Sequence, residues 1–199
     1  VISSWDQGCL IDFVWVLWNL RTLIGHSAVS GPIPRWGNFS SLQYLFLGIN
    51  QLSGTIPADL ARNPRLKVIT LQQNSLRGPL PADLANSSSL QGLFLRSNDI
   101  SGPVPSRWAT WKSLRVLSLA DNPLKIPLPE AWSSWSTLQE LYLKNCQLSG
   151  SLPKSWASGM VDMTKLVLSD NQLSSSIPTE WFAGGSFPNL TMLNLGNNR

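Results

Sequence analysis

Leu42, Leu66, Leu90, Leu114 and Leu138 stand 24 residues apart, and each opens the same phrase, L-x-x-L-x-L-x-x-N-x-L-x-G-x-I/L/V-P. A fixed period of this length means one small unit stacked many times, because a single copy cannot bury its own apolar face. The period predicts an α/β solenoid. Its right-handed superhelix would carry a parallel β-sheet on the concave side and a mostly irregular or 3-10 convex side. The functional question then moves from a pocket to a long exposed surface.

Each unit explains its own parts. In residues 42–47, Leu42, Leu45 and Leu47 are expected to point inward, with Gln43, Tyr44, Phe46 and Gly48 outward or toward the edge. Neighbouring strands lie about 4.8 Å apart. An inner turn follows, carrying Asn50, Asn74, Asn98, Asn122, Cys146, Asn171 and Asn198 in successive units. A turn inside a coil leaves backbone N–H and C=O groups without water. An Asn side chain both donates and accepts, so it can satisfy the turns on either side. Cys146 donates only weakly and predicts a local soft spot.

After the turn, Gly54 and Gly150 permit a tight backbone turn, and Pro57 and Pro153 end regular pairing. Ile126 and Ser175 replace this Gly in two units, where the geometry is expected to differ. The return segment places Leu60, Leu84, Trp108, Trp132, Trp156 and Trp181 at one position, with Trp111 and Trp135 three residues after two of them. Alternation with Leu marks these tryptophans as core. The period lengthens late, with extra residues in 157–162 and 182–188, on the return loop. The first unit, about residues 20–39, is eroded: Val29, Gly31, Ile33 and Pro34 are in place, without an Asn.

The phrase L-x-x-L-x-L-x-x-N-x-L-x-G-x-I-P resembles the plant-specific class of leucine-rich repeats. That class occurs in receptor-like kinases, receptor-like proteins and polygalacturonase-inhibiting proteins, nearly all extracellular. The P-x-x-W endings, Pro105–Trp108, Pro129–Trp132, Pro153–Trp156 and Pro178–Trp181, are similar to those of green-algal and protist surface proteins. The expected organisation is a degenerate cap-like segment over residues 1–19 and a repeat domain over 20–199. The domain would hold about seven to eight repeats and lack a C-terminal cap. Trp5-Asp6-Gln7-Gly8-Cys9 resembles the end of the plant N-terminal cap, with altered spacing. The chain reads as part of something longer, and membrane attachment is expected only through a missing flanking segment. Residues 9–20 are apolar, but short for a span and interrupted by Asp12.

Two cysteines are present, Cys9 and Cys146, several repeats apart and too distant for a disulfide within one stack. Three N-x-S/T sequons, at Asn38, Asn86 and Asn189, fall on return loops and point to the secretory pathway and the cell surface.

Catalysis is not expected. The single His26 has no Ser, Cys or carboxylate at useful spacing, and no metal-ligand cluster or cofactor motif occurs. Asp121 and Asp170 follow strands two repeats apart, about 10 Å by strand spacing. That separation suits an inverting glycosidase, but an open sheet face offers no means of raising one carboxyl pKa. The net charge is +4 without a dense Lys/Arg cluster, which argues against nucleic acid.

The concave face remains. Its central outward row runs Phe46, Thr70, Phe94, Ser118, Tyr142, Val167, Asn194, with Tyr44 beside Phe46. The next row carries Arg96 and Lys144, and Lys67, Arg115 and Lys165 add charge, opposed by Glu140. Rings supply contact area at low entropy cost, and cations orient an acidic or polar partner. Tyr44, Phe46, Phe94, Arg96, Tyr142 and Lys144 are therefore the candidate ligand-binding residues. The expected function is extracellular recognition of a protein, a peptide or an acidic glycan. Alternatives are inhibition of a secreted cell-wall polygalacturonase, ice binding, or a structural role in a larger assembly. Ice binding wants a flat, regular array of one short polar residue, and these rows mix Phe, Thr, Ser and Tyr.

Overall fold

The computed structural model describes residues 20–25, 29–35 and 39–199. Cys9, His26, Asn38 and the segment 1–19 lie outside the described residues. The backbone is a stack of coils on one eight-stranded parallel sheet. Its strands are Thr22–Ile24, Tyr44–Phe46, Val68–Thr70, Gly92–Phe94, Val116–Ser118, Glu140–Tyr142, Lys165–Val167 and Met192–Asn194. Pairing is in register throughout, so Phe46 lies beside Thr70, Thr70 beside Phe94, Phe94 beside Ser118 and Ser118 beside Tyr142.

The leucines of the phrase fill the interior. Leu42, Leu45 and Leu47 are fully buried, as are their counterparts in the next four repeats. On the return side, five short 3-10 turns among the described residues each follow a proline: Ala58–Arg62, Ala82–Asn86, Ser106–Thr110, Glu130–Ser134 and Thr179–Phe182. Proline presets φ and has no N–H to leave unbonded at such a start. In the first lengthened repeat the turn widens to one α-helical turn, Trp156–Gly159.

The Asn-to-Gly segment differs from the expected turn. Residues Ser30–Pro32, Gln51–Gly54, Ser75–Gly78 and Asp99–Ile100 form a second, lateral parallel sheet, and Ser149–Gly150 pairs with Gln172–Leu173. Gly54, Gly78 and Gly150 end their strands and Gly102 follows its strand by two residues, all with φ between 75° and 86°. The strip is interrupted at the repeat of Asn122, leaving only a bridge from Pro127 to Ser149. The cause is local. Pro123 cannot donate, and Ile126 stands where the left-handed glycine is needed. The left-handed residue moves back one place to Lys125, at φ 57°. Leu124 N–H then turns onto the Asn122 carbonyl at 2.9 Å, and Lys125 N–H onto that of Cys146 at 3.2 Å.

Ser175, by contrast, keeps the glycine conformation, at φ 79°. A side chain there costs about 1–2 kcal/mol, partly offset because glycine frees the unfolded chain. Ser175→Gly is therefore expected to stabilise the protein by about 0.5–1 kcal/mol. An unchanged or lowered urea midpoint would contradict this.

The turn Asn side chains bond as a continuous ladder. Asn122, 2% exposed, donates through Nδ2 to the carbonyls of Leu95, Leu119 and Ala120 at 3.0, 2.9 and 3.2 Å, and its Oδ1 accepts Ile100 N–H at 3.0 Å. Asn50, Asn74, Asn98, Asn171 and Asn198 repeat this pattern. At Cys146 the thiol reaches Leu119 O at 3.2 Å and Lys144 O at 3.4 Å, and the N–H that a side-chain carbonyl there would accept, that of Leu124, bonds the Asn122 backbone carbonyl instead. Burial pushes the Cys146 pKa up to about 12, so this sulfur stays a neutral thiol.

A second ladder runs through the tryptophans. Trp108, Trp111, Trp135, Trp156 and Trp181 each donate the indole N–H to a backbone carbonyl one coil back, namely Pro81, Leu84, Trp108, Pro129 and Pro153, at 2.8–3.1 Å. Trp132 alone among the six finds no acceptor among the described residues. Their rings stack across coils, with centroids 5.7 Å apart for Trp132 and Trp156 and 6.5 Å for Trp111 and Trp135.

Candidate functional site

The outer face of the long sheet carries the expected residues because strand positions alternate. Leu45, Ile69, Leu93, Leu117 and Leu141 turn inward, so the residues on either side of each turn out. Tyr44, Phe46, Phe94 and Tyr142 are all half-buried on this face. Tyr44 and Phe46 stack, with centroids 6.0 Å apart and planes at 29°. The Phe94 ring leans back along its strand over Gly92, where a Cβ would stand 2.9 Å from Cε2. Tyr142 leans the same way and donates its hydroxyl to Glu140 Oε2 at 2.8 Å. The aromatic row is therefore a shelf tilted toward the heads of the strands. Thr70 and Ser118 lie between the rings.

Arg96 and Lys144 lie one row over, and each already has a partner. Arg96 Nε meets Asp121 Oδ2 at 2.9 Å, and Lys144 Nζ meets Asp170 Oδ2 at 3.4 Å. Both aspartates sit just before a ladder position in the left-handed region, at φ 57° and 58°, a conformation that Asp tolerates better than most residues. Asn145 and Asn197, the equivalent residues one repeat on, donate to the other carboxylate oxygens at 3.1 and 2.7 Å. Each aspartate is thus clamped between a cation behind and an amide ahead. The Asn197 amide, then Lys144, holds the Asp170 carboxyl below its usual range.

This argues against Asp170 as the acid of a glycosidase pair, since a general acid needs its pKa raised. A third ion pair, Lys165 to Glu140 at 2.9 Å, follows directly from strand register. Its hydrogen bond holds the Glu140 carboxyl low, while burial and donation to Glu140 hold the Tyr142 phenol above its ordinary value. Among the described residues no ion pair engages Lys67 or Arg115, and no group of His, Cys, Asp and Glu is placed to hold a metal ion.

Two features of this face were not foreseen. Ile49 is 65% exposed and left-handed at φ 60°, where the other repeats place Gln73, Ser97, Asp121, Asn145, Asp170 and Asn197. A β-branched residue is strained there. Aligning the repeats in columns would have shown it as the one aliphatic residue in a polar column. Gln72 folds over Gly48, where a Cβ would meet its amide at 2.6 Å. No sequence signal points to that packing.

The glycosylation candidates lie on the return side. Asn86 ends a 3-10 turn and Asn189 precedes a strand; both are exposed. Asn189 Nδ2 donates to Val161 O at 3.1 Å. No helix among the described residues is long and apolar enough to cross a membrane.

The family model of the leucine-rich repeat matches residues 41–63, 113–135 and 137–158. A search of curated proteins gives no match. Among solved structures, the Arabidopsis receptor kinase HAESA, in complex with the peptide hormone IDA and the co-receptor SERK1, superposes with a TM-score of 0.85. That match has 31% identity over 92% of this chain and 30% of the other. PEPR1–AtPEP1 gives a TM-score of 0.85 with 32% identity, over 90% of this chain and 25% of that one. A plant ice-binding protein gives 0.80 with 29% identity, over 89% and 56%. The chain thus spans between 25% and 56% of the length of these three structures. Its fold is the leucine-rich-repeat fold, and at least three of its coils are leucine-rich repeats by sequence as well as by shape.

Proposed function

We propose that this chain is an extracellular recognition module that binds a protein or peptide through the concave face of its sheet, without catalysis of its own. The observation that carries the reading is the in-register row Phe46, Phe94 and Tyr142, alternating with Thr70 and Ser118 and extended by Tyr44. Half-buried rings at fixed spacing supply contact area at little entropic cost, which is what interface anchors require. Arg96 and Lys144 border the row, held by Asp121 and Asp170 in positions that a polar ligand group can approach from the open side. Likeness to the receptor kinase HAESA, solved with a peptide hormone, supports a peptide partner. The exposed sequons at Asn86 and Asn189 support passage through the secretory pathway.

The test is selection of a random 12-residue phage-displayed peptide library on the immobilised protein. Selected peptides are expected to lose at least about tenfold in affinity on Phe94→Ala and on Tyr142→Ala, the loss of one interface anchor. They should keep it on Phe182→Ala, which removes an exposed ring from the return side. Affinities unaffected by Phe94→Ala and Tyr142→Ala would refute the reading.

A further inference from the structure

The charge on the sheet face is not spread evenly. Its three acidic side chains, Asp121, Glu140 and Asp170, are each held by a cation, Arg96, Lys165 and Lys144 respectively. Two of these pairs, and the Tyr142–Glu140 bond, lie in the C-terminal half. That half is therefore polar, internally neutralised and already bonded to itself.

The stretch from the second to the fifth strand is different outside the Arg96–Asp121 pair. Lys67 and Arg115 immediately precede the strands Val68–Thr70 and Val116–Ser118, and no ion pair engages either among the described residues. They stand two strands apart in the same column, about 10 Å by strand spacing. Gln91 lies between them, and their order is fixed by backbone bonds from Gln91 N–H to Lys67 O at 2.7 Å and from Arg115 N–H to Gln91 O at 2.8 Å. The aromatic shelf leans toward this column, as the Phe94 ring over Gly92 demonstrates. Beside the rings lie the aliphatic Val68 and Val116, both half-buried.

We propose that the stretch of this face from Tyr44 to Arg115, the second to the fifth strand, recognises an extended acidic peptide segment. The proposal rests on the recognition reading above and narrows it. Apolar or aromatic side chains of the segment lie on Tyr44, Phe46 and Phe94, and two of its carboxylates meet Lys67 and Arg115. An acid arriving here finds cations that need not be taken from an existing partner. One arriving at Arg96, Lys144 or Lys165 must compete with a carboxylate already in place. Val68 and Val116 beside the rings favour peptide side chains over a sugar, which stacks on rings but gains little from branched aliphatic groups.

The probe is a random glutamate–tyrosine copolymer, titrated against the protein at low salt, with polyglutamate and polygalacturonate as comparisons. The copolymer is expected to bind at least about tenfold tighter than either homopolymer. The double variant Lys67→Ala/Arg115→Ala should weaken it by about tenfold or more, with Phe94→Ala comparable and Lys112→Ala, an exposed cation after the 3-10 turn Ser106–Thr110, within twofold. Circular dichroism shows whether each variant stays folded. Absence of copolymer binding, equal binding of polyglutamate, tighter binding of polygalacturonate, or indifference to the double variant would each overturn the proposal. Library-selected peptides lost on Phe94→Ala but kept on the double variant would overturn this proposal alone and leave the recognition reading standing.

Discussion

Leucine in place of Asn122 is expected to lower the unfolding free energy by about 3–4 kcal/mol, several times the effect of an ordinary surface change. Asn122 sits in the middle of the stack and makes four hydrogen bonds, two within its own coil and two to the coil before it. Leucine fills nearly the same volume, so packing loss is small and the cost is polar. Ile100 N–H loses its acceptor inside the coil, and an orphaned buried donor costs about 1–3 kcal/mol. The carbonyls fare unequally. Leu95 O keeps Asn98 Nδ2 at 3.0 Å and Ala120 O keeps Ser97 N–H at 2.9 Å, but Leu119 O is left with only the weak Cys146 thiol.

The same exchange at Asn50 should cost about half as much, because that side chain is only partly buried and water can reach it. Urea unfolding followed by circular dichroism reads both. In a stack whose coils touch only their neighbours, a central defect can also uncouple the two halves. A broadened or two-step transition for Asn122→Leu but not Asn50→Leu would accompany the loss. Equal costs at the two positions would contradict the ladder as the central polar support.

That ladder was legible because it repeats. Asn50 through Asn171 recur where no solvent-facing side chain would need to, and the inward leucines follow from the same columns. The lateral sheet was hidden for the opposite reason. Gln51–Gly54 has a single buried leucine and a terminal glycine, a composition that reads as a turn when one copy is considered alone. Only stacking supplies the neighbour that makes it a strand. Its interruption was half visible, since Ile126 announced altered geometry. The transfer of the left-handed residue to Lys125 needed the backbone itself.

The recognition face was readable as a row and not as a circuit. Strand alternation placed Phe46, Phe94 and Tyr142 on one side. Arg96 and Lys144 stood out as cations, but their partners are 25 and 26 residues away, one column over, in left-handed turns that redirect the side chain backward. Lys67 and Arg115 were noted only as added charge. What separates them from Arg96 and Lys144 is that no carboxylate closes on them: Glu140, whose N–H bonds Arg115 O at 3.0 Å, is taken by Lys165, and this becomes visible once the register is known.

The tryptophans give the largest expected effect and the sharpest internal contrast. Trp135 is fully buried, stacks on Trp132 at 4.8 Å and on Trp111 at 6.5 Å, and donates to Trp108 O at 2.8 Å. Trp135→Ala removes an indole from the centre of a stacked column and is expected to cost about 4–5 kcal/mol, at the upper end for loss of a large core side chain. Phenylalanine separates the causes. Trp135→Phe keeps a ring but loses both volume and the N–H bond, whereas Trp132→Phe loses similar volume and removes a buried donor that has no acceptor. Burying an unpaired N–H costs about 1–3 kcal/mol, so its removal offsets part of the packing loss. Trp132→Phe should therefore be milder than Trp135→Phe by at least about 1 kcal/mol, or roughly 2–4 °C in midpoint for a chain of this size. If the two Phe variants unfold together, the indole hydrogen bonds contribute nothing beyond packing. The return side would then be held by stacked rings alone.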